Sequence, residues 1–454
     1  MILKDKQHIY MIGIGGISMS GLALILRSWD YDVRGSDIAS NPQTETLEKH
    51  GIKVWIGQKE ENITPDISLV VYTAAIKDDN PELAQARKLN IPCIERGEFL
   101  GELTKLFKNT IGIAGTHGKT TTTSMVASVF LEAKLNPTIQ VGAYLDRIAG
   151  NYYVGGKEYF IIEACEYCDS YLNFHQKSAI VLNIDDDHLD YFKSIDNIQK
   201  SFEKYVSLLP SDGILVLNGD DERCLKLKEA TKAKVVIVGT QDHALYSYRN
   251  VTFDSDGFAT YDVYYKGNKE ATISLHVAGM HNVLNSLCCV ALCREYGISY
   301  EDIQAGLSSF YGAKRRLEYI GTFHGAKIYD DYGHHPTEIR ATVNSLLKKT
   351  FHESWVVFEA HTYSRFQQHL EEFADALKPF DHIIVTDIYA ARETNTLEVK
   401  EDDLVKLLDG KAIHLSKMED IIMYLEEHVQ PNDIILTLGA GNVTKIAHQL
   451  KEAN

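Results

Sequence analysis

Gly115-Thr116-His117-Gly118-Lys119-Thr120-Thr121 follows the apolar run Thr110 to Ala114 and leads into a segment of helical period, Thr120 to Ala133. A strand, a glycine turn and a helix in that order make a phosphate cradle. Backbone N–H groups and the helix N-terminus face the anion, a lysine neutralises it, and a threonine such as Thr120 or Thr121 can ligate Mg²⁺. The general P-loop pattern wants a glycine five residues before the Gly-Lys pair. Ile113 stands there, so this loop is a shortened variant. The plainer alternative, a glycine turn with a solvated lysine, fits the flanking strand and helix less well.

Working outward, the chain repeats this strand-turn-helix opening. His8 to Ile12 reads as a strand, Gly13 to Gly16 as a turn, Ile17 to Trp29 as a helix and Tyr31 to Gly35 as a strand ending near Asp37. Leu69 to Ala74 and Ile91 to Arg96 continue that sheet, and Glu98 to Lys108 closes it. After the central loop come buried-strand candidates at Tyr159 to Ile162, Ala179 to Asn183, Ile214 to Leu217 and Val235 to Val238. Tyr246 to Val277 changes to Tyr/Val/Thr alternation broken at Asp256-Gly257 and Lys266-Gly267-Asn268, which predicts two or three antiparallel strands at a sheet edge. A third start comes at Ala326 to Tyr329, with strands at Trp355 to Phe358, Ile383 to Thr386 and Ile434 to Leu438. The predicted class is α/β in three domains. Residues 1–107 form a Rossmann-like domain, 108–320 a central P-loop-like parallel sheet with an antiparallel edge, and 321–454 a second Rossmann-like domain.

Composition agrees. The 454 residues are 44% hydrophobic, enough for full cores, and at about 150 residues per domain three domains are the expectation. A net charge of −17 provides no global field toward nucleic acid or anionic lipid, so anionic ligands need local devices. No run approaches the roughly 18 apolar residues of a membrane helix, and Met1 to Lys6 lacks a signal-peptide core, so a cytoplasmic protein is expected. Seven cysteines in a long chain suggest free thiols, and Cys165, Cys168, Cys288, Cys289 and Cys293 all read as packed thiols rather than metal ligands or a redox couple.

Three further sites carry chemistry. Gly13-x-Gly15-Gly16-x-Ser18 with Asp37 resembles a dinucleotide fingerprint, with Ser18 in place of the third glycine, and tight strand-helix packing is its rival. Glu163 ends one predicted strand, and His188 follows another through Asp185-Asp186-Asp187. Both stand where a parallel sheet presents ligands and can complete a Mg²⁺ shell, while most of those aspartates read as helix caps or solvated turns.

These motifs together resemble the Mur ligases, the amide ligases of peptidoglycan precursor synthesis, over essentially the whole chain. The resemblance rests on Ile12 to Gly21, Gly115 to Thr121, Asn183 to Asp190, Gly279-x-His281-Asn282-x-x-Asn285, Arg315-Arg316-x-Glu318, Asp330 to Pro336 and His361 to Arg365. Asp387-Ile388-Tyr389-Ala390-Ala391-Arg392-Glu393 favours the alanine-adding members. The resemblance implies an ADP-forming ligase using ATP and Mg²⁺ to join L-alanine to UDP-N-acetylmuramate through an acyl phosphate, as a monomer or homodimer. It places Gly13, Gly15, Gly16 and Ser18 near the UDP pyrophosphate and Asp37 near the nucleoside. Gly115, Thr116, His117, Gly118, Lys119, Thr120, Thr121, His281, Asn282, Arg316 and Asp331 go to ATP. Lys119, Glu163 and His188 become catalytic, Thr120, Glu163 and His188 surround the metal, and His361 and Arg365 take the amino acid. A bland rival has Arg365 merely pairing with Glu372. The chain departs from the family at Cys165, at Glu359-Ala360 in place of Gln-Pro, and at Asn442 in place of Asp. Some siblings use a carbamylated lysine, and around Glu203 only Lys200 and Lys204 stand nearby, so none is assigned. Rival functions are a murein tripeptide or folylpolyglutamate ligase of the same superfamily, a non-catalytic UDP-sugar and ATP sensor, and a Rossmann dehydrogenase.

Overall fold

The apolar run at residues 8–12 becomes a buried central strand in the computed structural model, which describes Leu3 and residues 7–73, 75–391 and 393–452. Ala74 and Arg392, both part of segments read above, lie outside the described residues, as do most of Met1 to Lys6 and the side chain of Asp190. The chain builds two compact units, residues 1–247 with 287–306 and residues 248–286 with 307–454.

In the first unit, β1 (His8–Ile12), β2 (Asp32–Asp37), β3 (Lys53–Ile56), β4 (Leu69–Tyr72) and β5 (Cys93–Glu95) form a parallel sheet in the order β3-β2-β1-β4-β5. The helix Ile17–Ser28 returns over it with every residue from Met19 to Leu26 buried. Gly35 is required by the close approach of β1 and the turn after it, since a Cβ there would lie 2.3 Å from the Met11 carbonyl oxygen and 2.8 Å from the Ile14 side chain.

The same unit carries β6 (Asn109–Ala114), β7 (Thr138–Leu145), β8 (Gly150–Tyr153), β9 (Tyr159–Glu163), β10 (Ser178–Val181), β11 (Ile214–Asn218) and β12 (Lys234–Val238). Their order is β12-β11-β10-β6-β9-β7-β8, parallel except for the antiparallel β7–β8 hairpin. Such strands, covered on both faces, read as continuous apolar runs. β6 shows this, with residues 110–114 all buried.

Beyond β13 (Tyr246–Phe253), the second unit holds β14 (Phe258–Tyr265) and β15 (Asn268–Ala278), which pair antiparallel as the alternation predicts. Its other sheet runs β16-β17-β21-β18-β19-β20, from β16 (Glu318–Phe323), β17 (Ala326–Asp331), β18 (Ser354–Phe358), β19 (His382–Val385), β20 (Ala412–His414) and β21 (Ile434–Leu438). Only β16–β17 is antiparallel there. Two apolar clusters, one on Phe358 and Phe373 and one on Trp355 and Ile435, cover its faces. Among the described residues no helix is long and apolar enough to cross a membrane.

Candidate active site

In the first unit the glycine loop leaves β6 and starts the helix Lys119–Glu132 with Gly118 at φ 83 as its N-cap, a left-handed conformation that suits glycine. Gly115 has φ 137, and a Cβ there would press on Leu182 at 2.9 Å. The chain after β10 braces the loop. Asn183 accepts the His117 N–H at its Oδ1 (2.7 Å), its Nδ2 donates to the His117 carbonyl (3.0 Å), and the Asp185 N–H reaches the Thr116 hydroxyl (2.9 Å). The His117 Nε2 and Asp185 Oδ2 are 3.1 Å apart. The motif 183–190 is thus a brace for the loop as well as the carrier of His188.

The Lys119 side chain is 15% exposed and its ammonium is fully engaged, against the solvated alternative. It donates to the carbonyls of Gly115 (2.6 Å) and Thr116 (3.0 Å) and to both oxygens of Glu166 (2.9 and 3.1 Å). Burial alone would lower its pKa, but the Glu166 carboxylate overcomes that and holds it above the ordinary lysine range. Glu166 is 2% exposed and its Oε1 is 3.9 Å from the His188 Nε2, so Lys119, Glu166 and His188 form one cluster. His188 adopts φ 55 and its ring packs on Tyr167. Thr120 is buried beside Lys119, while Thr121 is half-buried. Glu163 ends β9 and accepts the Gly142 N–H at 2.6 Å.

A cavity of about 160 Å³ has Ser18, Arg96, Gln140, Gly142, Glu163 and Cys165 in its wall. The Ser18 hydroxyl is 3.0 Å from the Gln140 Nε2 and 3.3 Å from Arg96. Asp37 accepts the N–H of Gly15 and of Ile38, both at 2.8 Å, and Gly13, at φ 79, closes the turn by accepting the Gly16 N–H. The carboxylate thus shapes the glycine loop itself.

The second unit contains the remaining candidates. His281, in the first turn of the helix Met280–Glu295, is exposed. Asn282 donates to the Ala278 carbonyl at 2.8 Å. Asp331 accepts N–H groups of Gly333 (2.8 Å) and Leu317 (2.7 Å), and burial raises its carboxyl to about 6 against the pull of Arg316. Arg316 sits 3.8 Å from Glu338 and over the Tyr332 ring. His361 and Arg365 are brought together, with Arg365 Nη1 3.1 Å from His361 Nδ1. Tyr389 stacks on His361 and Glu393 accepts the N–H and hydroxyl of Ser364, so Tyr389 and Glu393 pack directly on 361–365. Glu372 instead meets Arg340 and His369.

Comparison with known proteins decides the family. Residues 8–108 match the model for the Mur ligase family catalytic domain, 113–293 the Mur ligase middle domain and 315–441 the Mur ligase glutamate ligase domain. A UDP-N-acetylmuramate–L-alanine ligase of Lachnospira eligens is 46% identical over 98% of both chains. The chain belongs to the Mur ligase family. The family's ligases are ATP-dependent. The like-named ligase of Acetivibrio thermocellus is 44% identical, over 97% of this chain and 94% of its own. The crystal structure of the UDP-N-acetylmuramate-alanine ligase of Thermotoga maritima superposes with a TM-score of 0.83 at 29% identity, over 98% of each chain.

One sequence reading changes: Cys165 and Cys168 are exposed rather than packed, whereas Cys288, Cys289 and Cys293 are buried as expected. Asp187 is buried, with its Oδ1 on the His188 N–H. Glu166, Asn183, Gln140 and Tyr389 were missed as site residues. Glu166 carried the clearest signal, an acid three residues beyond Glu163 in a loop already singled out.

Proposed function

We propose that this Mur ligase joins L-alanine to the lactyl carboxylate of UDP-N-acetylmuramate, releasing ADP and phosphate, in the cytoplasm where ATP is made. The observation that carries the reading is Lys119, held against Glu166 at a glycine-loop helix N-terminus, in a chain that matches an alanine-adding relative over 98% of its length. A carboxylate does not react with an amine at neutral pH, so the acyl group must first be activated by the ATP γ-phosphoryl. Two anions then have to approach each other, and a fixed cation in a water-poor site lowers that barrier. Lys119 is that cation, and Glu166 keeps it protonated and in place.

Thr120, Glu163 and His188 would hold Mg²⁺, the hydroxyl and the carboxylate being hard oxygen donors of the kind that it takes. When bound it supplies further charge neutralisation on the phosphates. Gly115 to Thr121, His281, Asn282, Arg316 and Asp331 are assigned to ATP. Gly13, Gly15, Gly16, Ser18 and Asp37 are assigned to the UDP moiety. Arg365 takes the α-carboxylate of L-alanine, oriented by His361, and His188 or His361 removes the amine proton. The segments 1–107, 108–320 and 321–454 are assigned in turn to UDP-substrate, ATP and amino acid, supported by the three family matches.

ADP production with UDP-N-acetylmuramate and each amino acid or a murein tripeptide in turn tests the specificity. L-alanine should drive it. Turnover with the tripeptide and silence with alanine would overturn the reading.

A further inference from the structure

The six-stranded sheet presents residues 359–361 and 387–391 at the C-terminal ends of its strands. At the opposite ends, three neighbouring strands converge: β18 begins at Ser354, β19 at His382 and β21 at Ile434. His352 and Glu353 precede β18 and Asp433 precedes β21. One ligand atom of each of these three residues lies within 4.8 Å of the others.

Asp433 is 1% exposed and fully oriented. Its Oδ1 is 2.9 Å from the His352 Nδ1 and accepts the Glu353 N–H at 3.1 Å. Its Oδ2 accepts the Trp355 Nε1–H at 3.1 Å and the Gln430 N–H at 2.9 Å. Glu353 is oriented in turn, its Oε2 lying 2.9 Å from the His382 Nε2, and the His382 ring stacks on Trp355 at 3.9 Å. His352 has a side chain 60% exposed, which leaves an entry path from solvent.

We propose that His352, Glu353 and Asp433 bind a divalent transition-metal ion of the zinc class, with water completing the shell. One imidazole and two carboxylates are the donor types that Zn²⁺ accepts, at about 2.0–2.2 Å. Ligand atoms in such a shell sit about 3.3–3.5 Å apart, a contraction that the exposed His352 and half-exposed Glu353 can make around a fixed Asp433. Ca²⁺ wants six to eight oxygens, more than this trio offers, and an imidazole is a donor that Zn²⁺ takes more readily than Mg²⁺ does. The groups behind the carboxylates, Trp355 and Gln430 on Asp433 and His382 on Glu353, are the outer layer that orients metal ligands. The rival content of the cluster is two ion pairs, His352 with Asp433 and His382 with Glu353. Those pairs need no convergence of three donors on one point. Five residues of β18 at about 3.3 Å each separate the cluster from Glu359, so the ion ties strand ends together and takes no part in ligation.

The test uses the full-length protein, stripped with a chelator and then titrated with Zn²⁺ against a chromophoric competitor, and separately with Co²⁺ while tryptophan fluorescence is followed. Wild type should bind one more equivalent of Zn²⁺ than His352→Ala or Glu353→Gln, and Co²⁺ should quench a component that Trp355→Phe removes. Circular dichroism confirms that the variants fold, and both should keep ligase turnover. Zn²⁺ stoichiometry and affinity unchanged in the His352→Ala, Glu353→Gln double variant, or Co²⁺ quenching that persists in it, would overturn the proposal and leave the two ion pairs as the whole content of the cluster.

Discussion

Replacing Lys119 by methionine keeps most of the side-chain volume and removes one charge from a pair in which Glu166 is 2% exposed and Lys119 15%. A solvated loop lysine would leave stability unchanged. Here the variant strands a buried carboxylate, with the His188 Nε2 3.9 Å away. Removing one partner of a buried pair destabilises by about 3–5 kcal/mol, and the nearby imidazole argues for the lower end, about 3 kcal/mol. At about 2–4 °C per kcal/mol for a domain of this size, the melting transition should fall by roughly 6–12 °C. Activity should fall separately, by ~10²-fold or more in kcat, since a cation used on developing phosphate charge contributes at least about 2.7 kcal/mol. The double variant Lys119→Met, Glu166→Gln separates the effects: it should regain most of the lost stability and none of the activity. Thermal unfolding by circular dichroism and phosphate release are the assays. A single variant that melts with wild type, or a double variant no more stable than the single, would refute the reasoning.

Arg365→Ala should raise KM for L-alanine at least tenfold and leave KM for ATP within a few-fold, because Arg365 is held against His361 rather than against Glu372. Steady-state kinetics with each substrate varied checks this, and a raised ATP KM beside an unchanged alanine KM would move Arg365 to the nucleotide. Gly101→Ala should destabilise by about 1–3 kcal/mol, since its Cβ would lie 2.3 Å from the Asn173 carbonyl oxygen; an unchanged melting temperature would contradict it. Asp331, raised to about 6 by burial, keeps its proton at pH values where the unfolded chain has lost it, so its contribution makes the fold less stable as pH rises from about 4 to about 6. The change is up to about 3 kcal/mol. Stability curves of wild type and Asp331→Asn should therefore diverge across that window, and parallel curves would rule the reasoning out.

Fold and site were unequally legible. Strands sandwiched between helices, such as β6 and β21, announce themselves as continuous apolar runs, and the glycine turns after β1 and β6 mark where helices start. What escaped were β3, with no fully buried residue, β20, with three residues, and β16 and the β7–β8 hairpin, whose partly exposed faces leave no apolar run. In the site, the motif gave Lys119 but not its partner. Glu166 lies 47 positions away and meets it only because β9 runs beside β6. The thiols of Cys165 and Cys168 show the same limit, since spacing carries no information about exposure.

The most direct test of the central claim follows the oxygen atoms. UDP-N-acetylmuramate labelled with ¹⁸O in its lactyl carboxylate should, with ATP and L-alanine, deliver one ¹⁸O to the released phosphate for each ADP formed, as an acyl phosphate requires. Unlabelled phosphate, or label recovered in AMP, would contradict it.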